Sequence, residues 1–284
     1  MLEAGVEAAQ VAILGSYLKQ LKLPAIAKSY AQVAREARLG GKSHEEFLLS
    51  LLEAEVAQRE VSRQKLRLAQ ARFPVLKTLE SFQFEAVPSL NKAEVLELAR
   101  GGYIADKENL VLLGGTGAGK THLATAMGVA HCQQGKRVRF IGATELANRL
   151  LEAHAEHRVS PVLSSFQKFD LVIVDELGFV PFSSTGSELL FEFFSSAYER
   201  RATAVTTNLP FAEWNSVFGS ERLTAALLDR LTHRCHILEF RTGSYRLRQS
   251  LGRQTARVGQ ADPAAILSPP GISTHSIDST GTNR

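Results

Sequence analysis

The chain has 284 residues, 44% hydrophobic and 22% charged, with 33 Lys and Arg against 29 Asp and Glu. That describes a globular protein with an ample core, in one large domain or a smaller pair, and its net charge of +4 suits acidic partners such as nucleic acid without requiring them. Cys132 and Cys235 are too few for a disulfide framework and lack metal-type spacing, no apolar run reaches membrane-spanning length, and no basic leader precedes an apolar stretch, so a reducing cytoplasm is the expected setting.

Residues 1 to about 72 read as helices. Pro24 punctuates two helical runs, and Gly40-Gly41 ends the second. Ser43-His44-Glu45-Glu46 forms a capping box with Ser43 as N-cap. Beyond it Phe47, Leu48, Leu51, Leu52 and Val56 recur at helical spacing and predict a buried stripe. On the same helix Arg59, Arg63 and Arg67 fall four residues apart on one face, where they could track a phosphate backbone or simply be solvated. Phe73-Pro74 ends that helix, Thr78 to Phe84 reads as an extended arm with alternating aromatics, and another helix is expected from Asn91 to about Arg100. A small all-helical N-terminal domain over 1–75 is thus expected to precede a second domain over 76–251.

In that second stretch strands alternate with helices, the pattern of a parallel sheet with helices on both faces. The expected strands are Leu110 to Leu113, Val138 to Ile141, Leu171 to Val174, Ala204 to Thr207 and Cys235 to Phe240, with helices over about 120–134, 143–158, 186–200 and 221–232. Ligands of such sheets sit at the carboxyl ends of the strands, which puts Gly114, Asp175 and Asn208 along one edge. From about Gly252 the composition turns to Gly, Ser, Thr, Pro and Gln, and 252–284 is expected to be a disordered tail.

The chemistry centres on Gly114-Gly115-Thr116-Gly117-Ala118-Gly119-Lys120-Thr121, a G-x-x-x-x-G-K-[ST] loop between a strand and a helix. Glycines let backbone N–H groups turn inward around a phosphate, and the helix N-terminus adds its dipole. Lys120 is placed for the β- and γ-phosphates of a nucleoside triphosphate, and the Thr121 hydroxyl for Mg²⁺. The buried strand ending in Asp175-Glu176 supplies a carboxylate for the same Mg²⁺ and a second one to polarise an attacking water. Asn208 ends the next strand, where it could touch the γ-phosphate or that water, or act as a turn residue before Pro210. Arg222, Arg230, Arg234, Arg241, Arg246 and Arg248 crowd the end of this region. An arginine acting in cis or in trans often completes such sites, and spacing alone does not choose among these. His122 reads as a packed or solvent residue rather than a catalyst, His233, Cys235 and His236 lack the second ligand pair of a metal site, and Trp214 reads as a core or docking aromatic.

These motifs together resemble the IstB-like ATP-binding proteins, the transposition helper ATPases of insertion sequences, related to DnaC helicase loaders within the AAA+ superfamily. The resemblance rests on Leu113 to Ala124, Val174-Asp175-Glu176-Leu177-Gly178, Thr207 to Phe211 with Trp214, Ala226 to Leu231 and Ser244 to Arg248. Ala71 to Pro74 and Thr78 to Phe82 extend it upstream, so that it covers roughly residues 15 to 250. It implies a three-layer P-loop NTPase core with a central parallel sheet, a Walker A at Gly114 to Thr121 and a Walker B at Asp175-Glu176. By the same match Asn208 resembles sensor 1, Arg230 the arginine finger and Arg246 sensor 2. It further implies an ATP- and Mg²⁺-dependent homo-oligomer on duplex DNA, with nucleotide at subunit interfaces, that recruits or activates a partner transposase. A DnaC-type helicase loader shares these core motifs, and a DNA-binding scaffold using ATP structurally is the alternative of another class.

Overall fold

The computed structural model describes residues 2–241 and 243–245. Three helices come first, α1 (Leu2–Gln20), α2 (Pro24–Leu39) and α3 (His44–Ala71). Pro24 sits in the first turn of α2, where its missing N–H removes no helical bond. Ser43 and Glu46 form the expected capping box, each side chain accepting the other residue's backbone N–H. Leu18, Ile26 and Leu51 make the small core between the helices. Glu55 is buried beside them and accepts the N–H groups of Ala25 (2.9 Å) and Ile26 (3.3 Å), two amides that α2 leaves without helical partners.

The stripe expected along α3 divides. Leu51 is buried and Phe47 half-buried, but Leu48, Leu52 and Val56 are exposed. The inner face runs through positions 47, 51 and 55, and a layer of three helices has nothing to lay on the next face. The C-terminal end of α3 reaches the sheet domain, where Ala71 joins its core.

The segment from Thr78 to Phe84 is not extended. It forms two 3-10 turns, Leu79–Ser81 and Phe84–Ala86, the first fixed locally by the Ser81 hydroxyl donating to the Thr78 carbonyl (2.7 Å). Those turns bury Phe82 and set its ring edge-on to Phe84. Then come α4 (Lys92–Ala99), capped by Asn91, and the short α5 (Gly102–Ala105).

The sheet domain runs β1 (Asn109–Gly114), α6 (Lys120–Gln133), β2 (Val138–Gly142), α7 (Ala143–Ala155), α8 (Val159–Gln167), β3 (Leu171–Leu177), α9 (Ser184–Ala197), β4 (Ala202–Thr207), α10 (Asn215–Phe218), α11 (Glu221–Thr232) and β5 (Cys235–Phe240). All five strands are parallel, in the order β2-β3-β4-β1-β5. Successive residues point to opposite faces. Leu110, Leu112 and Ile173 pack under α6 with α4 and α5, while Val111, Val172, Val174 and Val205 pack on α7, α9 and α11. The result is three layers, with every strand but the two outermost covered on both edges.

The helix expected over 143–158 ends three residues early, at Ala155, and a further helix that was not expected, α8, follows it over Val159–Gln167. His157 takes a left-handed φ of 55° and closes α7, and α8 tolerates Pro161 because it lies in the first turn. Among the described residues no helix is long and apolar enough to cross a membrane.

Candidate functional site

Gly114 ends β1 directly beside Phe240, the last residue of β5. Its φ is +154°, and a Cβ there would lie 2.6 Å from both the Cβ and the carbonyl oxygen of Phe240. Only glycine lets the chain leave the sheet at that point. Gly117 (φ 75°) and Gly119 (φ 107°) then curl the loop back to the N-terminus of α6. Lys120 opens α6, and its buried ammonium donates to the carbonyls of Gly114 (2.6 Å) and Gly115 (2.9 Å). A cation held inside a ring of glycine backbone at a helix N-terminus is an anion cradle.

Asp175, on β3, is 7% exposed and faces the cradle. Its Oδ1 accepts hydrogen bonds from the hydroxyls of Thr121 (3.0 Å) and Thr206 (2.5 Å). A carboxylate paired with a hydroxyl fits Mg²⁺, a hard cation that takes few protein oxygens and fills its shell from phosphate and water. No cluster of three or more His, Cys, Asp or Glu occurs among the described residues, so a metal here would rely on the nucleotide for the rest of its ligands. Glu176 follows in a left-handed conformation (φ 59°), exposed at the same cleft, while Gly178 (φ 97°) completes the turn away.

The cleft has a volume of about 840 Å³ and brings together Thr116, Lys120, Thr121, Asp175, Glu176 and Asn208. Gly114, Gly115 and Ala118 do not line this cleft, and buried Ala118 faces a second cleft of about 280 Å³ beside Phe82 and His122. Asn208 is half-buried at the end of β4. Its turn is held twice over: Thr207 Oγ1 accepts the Leu209 N–H (3.2 Å), and the Trp214 indole N–H donates to the Leu209 carbonyl (3.2 Å). Trp214 is thus a core aromatic, 1% exposed, whose polar edge anchors the turn carrying Asn208.

His122 packs its ring edge against Phe82 and lies 3.1 Å from Ser81 Oγ, and burial followed by the nearby Lys77 charge holds its pKa below the ordinary value. Tyr245 closes this side, its N–H donating to the Gly117 carbonyl (3.1 Å) and its hydroxyl to Gln83 (2.9 Å). Thr206 carries no sequence signal as a site residue, and Tyr245 enters only as a member of the Ser244 to Arg248 motif with no role of its own, because each acts through a partner far away in the chain.

Arg230 does not join this cleft. It borders Asn109, Tyr198 and Thr203, at the amino ends of β1 and β4. The length of β1 separates it from the loop, roughly 15 Å at strand rise. Its guanidinium donates to Ser195 and lies 4.5 Å from the centre of the Phe191 ring, both on α9. Arg246 lies outside the described residues, as does 252–284.

The three arginines of α3 are not a free row. Arg59 bonds Glu55 (3.0 Å) and the Lys22 carbonyl (2.8 Å). Arg67, its side chain 14% exposed, bonds Glu60 and donates to the Cys132 carbonyl (2.9 Å) at the end of α6, which ties α3 to the sheet domain. Arg63 has only a 3.9 Å contact with Glu60 and is 66% exposed.

The sequence pattern of the IstB-like ATP binding proteins matches residues 16–253. An insertion sequence ATP-binding protein of Sinorhizobium fredii is 39% identical over 254 residues, covering 89% of this chain and 84% of that one. The ATP-binding protein of insertion sequence IS5376 from Geobacillus stearothermophilus is 34% identical, covering 82% of this chain and 93% of that one. Among solved structures, AMPPCP-bound DnaA from Aquifex aeolicus overlays with a TM-score of 0.51 at 20% identity, over 65% of this chain and 56% of that one, a likeness of fold alone. A glycine-rich anion cradle between β1 and α6, a five-stranded parallel sheet and a family match over most of its length make this chain a member of the IstB-like ATP binding protein family.

Proposed function

We propose that the chain is a Mg²⁺-dependent ATPase that assembles as a homo-oligomer on duplex DNA and recruits or activates the transposase of its insertion sequence. The observation that carries the reading is one cleft holding Lys120, Thr121 and Asp175 together with Glu176. A scaffold that only bound nucleotide would need the first three and not the fourth. In the proposed reaction Lys120 exchanges the Gly114 and Gly115 carbonyls for the β- and γ-phosphates. Thr121 and Asp175 hold Mg²⁺, which when bound neutralises charge developing on the phosphates. Glu176 polarises the attacking water, and Asn208 orients it at the γ-phosphate. Arg246 is assigned to the protomer's own nucleotide from the sequence resemblance.

Arg230 is assigned to the neighbour's nucleotide. Its distance from its own loop and its rigid seat on α9 support a role in trans. The association with transposition is supported by the relatives, which are proteins of insertion sequences. Residues 1–75 are the proposed partner- or DNA-facing domain and 76–251 the ATPase domain. Leu48, Leu52 and Val56 give the first of these an uncovered apolar face, and Arg63 is the most exposed of the three arginines of α3.

The test is steady-state ATP hydrolysis with and without duplex DNA, paired with co-precipitation of the cognate transposase. DNA-stimulated turnover and transposase capture are expected. Absence of turnover under all conditions contradicts the ATPase reading in favour of a scaffold, and capture of a hexameric replicative helicase instead contradicts the transposition role.

A further inference from the structure

Strands β3 and β4 pair in register as far as Val174 opposite Val205, and again at Leu177 opposite Thr207. Between those rungs β3 has two residues, Asp175 and Glu176, where β4 has one, Thr206. This is a β-bulge, which bends its strand and re-aims its side chains. Regular alternation would send two adjacent carboxylates to opposite faces of the sheet. Both instead border one cleft. The departure shows in the backbone, because Glu176 occupies a left-handed conformation that non-glycine residues seldom adopt and that surrounding bonds must enforce.

A single hydroxyl holds both bulged residues. Thr206 Oγ1 donates to Asp175 Oδ1 (2.5 Å) and accepts the backbone N–H of Glu176 (2.9 Å), and Thr206 is 1% exposed. The neighbouring hydroxyl cannot take over, since Thr207 Oγ1 is engaged with Leu209. With Thr121 also donating to Oδ1, Asp175 Oδ2 is left without a hydrogen-bond partner among the described residues. We propose that Thr206 is a positioning residue for hydrolysis, its hydroxyl pinning the bulge that presents Asp175 to the metal and Glu176 to the attacking water. The proposal rests on the reading of the cleft as an ATP and Mg²⁺ site, and names a residue on which both carboxylates depend.

The test compares Thr206→Val, which keeps the shape and removes the hydroxyl, with Thr206→Ser, which keeps the hydroxyl. A fluorescent ATP analogue is titrated in EDTA and then at rising Mg²⁺, and steady-state turnover and melting temperature are measured alongside. Thr206→Val is expected to keep metal-free affinity within about twofold, because Lys120 and the loop are untouched, while the Mg²⁺ needed for half-maximal tightening rises about tenfold, as the loss of one hydrogen bond to a charged group implies. Its turnover falls by at least as much, and Thr206→Ser restores both. Wild-type Mg²⁺ dependence in Thr206→Val overturns the proposal. So does loss of metal-free binding and melting temperature together, unrescued by Ser, which is the mark of a merely structural residue. A wild-type chain that binds nucleotide Mg²⁺-dependently but never turns over contradicts the ATPase reading alone, and the Mg²⁺ titration still decides the role of Thr206. Wild-type binding indifferent to Mg²⁺ overturns both.

Discussion

Gly114 and Gly115 stand side by side in the phosphate loop, yet replacing the first by alanine is expected to destabilise the protein and replacing the second to leave it nearly unchanged. At Gly114 a methyl group would lie 2.6 Å from two atoms of Phe240, about 0.8 Å inside ordinary contact, and the residue would have to hold φ at +154°. Backbone strain of that kind costs about 1–3 kcal/mol, and overpacking costs about 1–3 kcal/mol more. The clash with Phe240 can be relieved only by breaking the Gly114–Phe240 rung, from which the loop departs. The expected destabilisation is about 2–6 kcal/mol, which at roughly 2–4 °C per kcal/mol for a domain of this size lowers the melting temperature by about 4–24 °C. At Gly115 a Cβ meets nothing within 4 Å and the backbone is not left-handed, so Gly115→Ala is expected to melt within about 2 °C of wild type. Thermal denaturation of both variants followed by circular dichroism is the assay. Equal melting temperatures for Gly114→Ala and wild type would refute the claim that close approach to β5 is why this position is glycine.

Trp214→Phe removes the indole donor to the Leu209 carbonyl and is expected to cost about 1–3 kcal/mol in urea unfolding, while lowering turnover several-fold with nucleotide affinity unchanged, because it loosens the turn that carries Asn208. Unchanged turnover would separate Trp214 from the site. Burial pushes the Glu55 carboxyl up, but Arg59 and the N–H groups of Ile26 and Ala25 outweigh it and hold the pKa below 4.5. The stabilisation is therefore complete above that value and is lost as pH falls through the lowered pKa. The drop in melting temperature between pH 5 and 3 is expected to be smaller in Glu55→Gln than in wild type, and equal drops would contradict the role given to this carboxylate.

The strands were legible because a parallel sheet covered on both faces writes itself as continuous apolar runs, as in Leu110 to Leu113 and Leu171 to Val174. The phosphate loop was legible because its chemistry is local, carried by glycines and one lysine in eight residues. What sequence could not supply depends on neighbours. Periodicity along α3 marks an apolar face but not whether anything covers it, and Leu48, Leu52 and Val56 remain uncovered. Arginine spacing marks a face but not its bonds, and Arg67 is engaged with Glu60 and α6. The bulge at Asp175-Glu176 is a mismatch in count between two strands, visible only once β3 and β4 are side by side. The same holds for Arg230, whose remoteness from its own loop appears only in the fold.

That remoteness is the basis of the central claim, that each nucleotide site is completed by a neighbour. Mixing two defective variants tests it most directly. Lys120→Ala keeps Arg230 but lacks a working cradle, and Arg230→Ala keeps the cradle but lacks the finger. Each alone is expected to hydrolyse ATP at least ~10³-fold more slowly than wild type, as loss of an arginine finger implies. Assembled together on duplex DNA they recover turnover, because an Arg230→Ala site then meets an intact Arg230 from its neighbour. Wild-type turnover by Arg230→Ala alone, or a silent mixture whose subunits demonstrably co-assemble, would contradict the account.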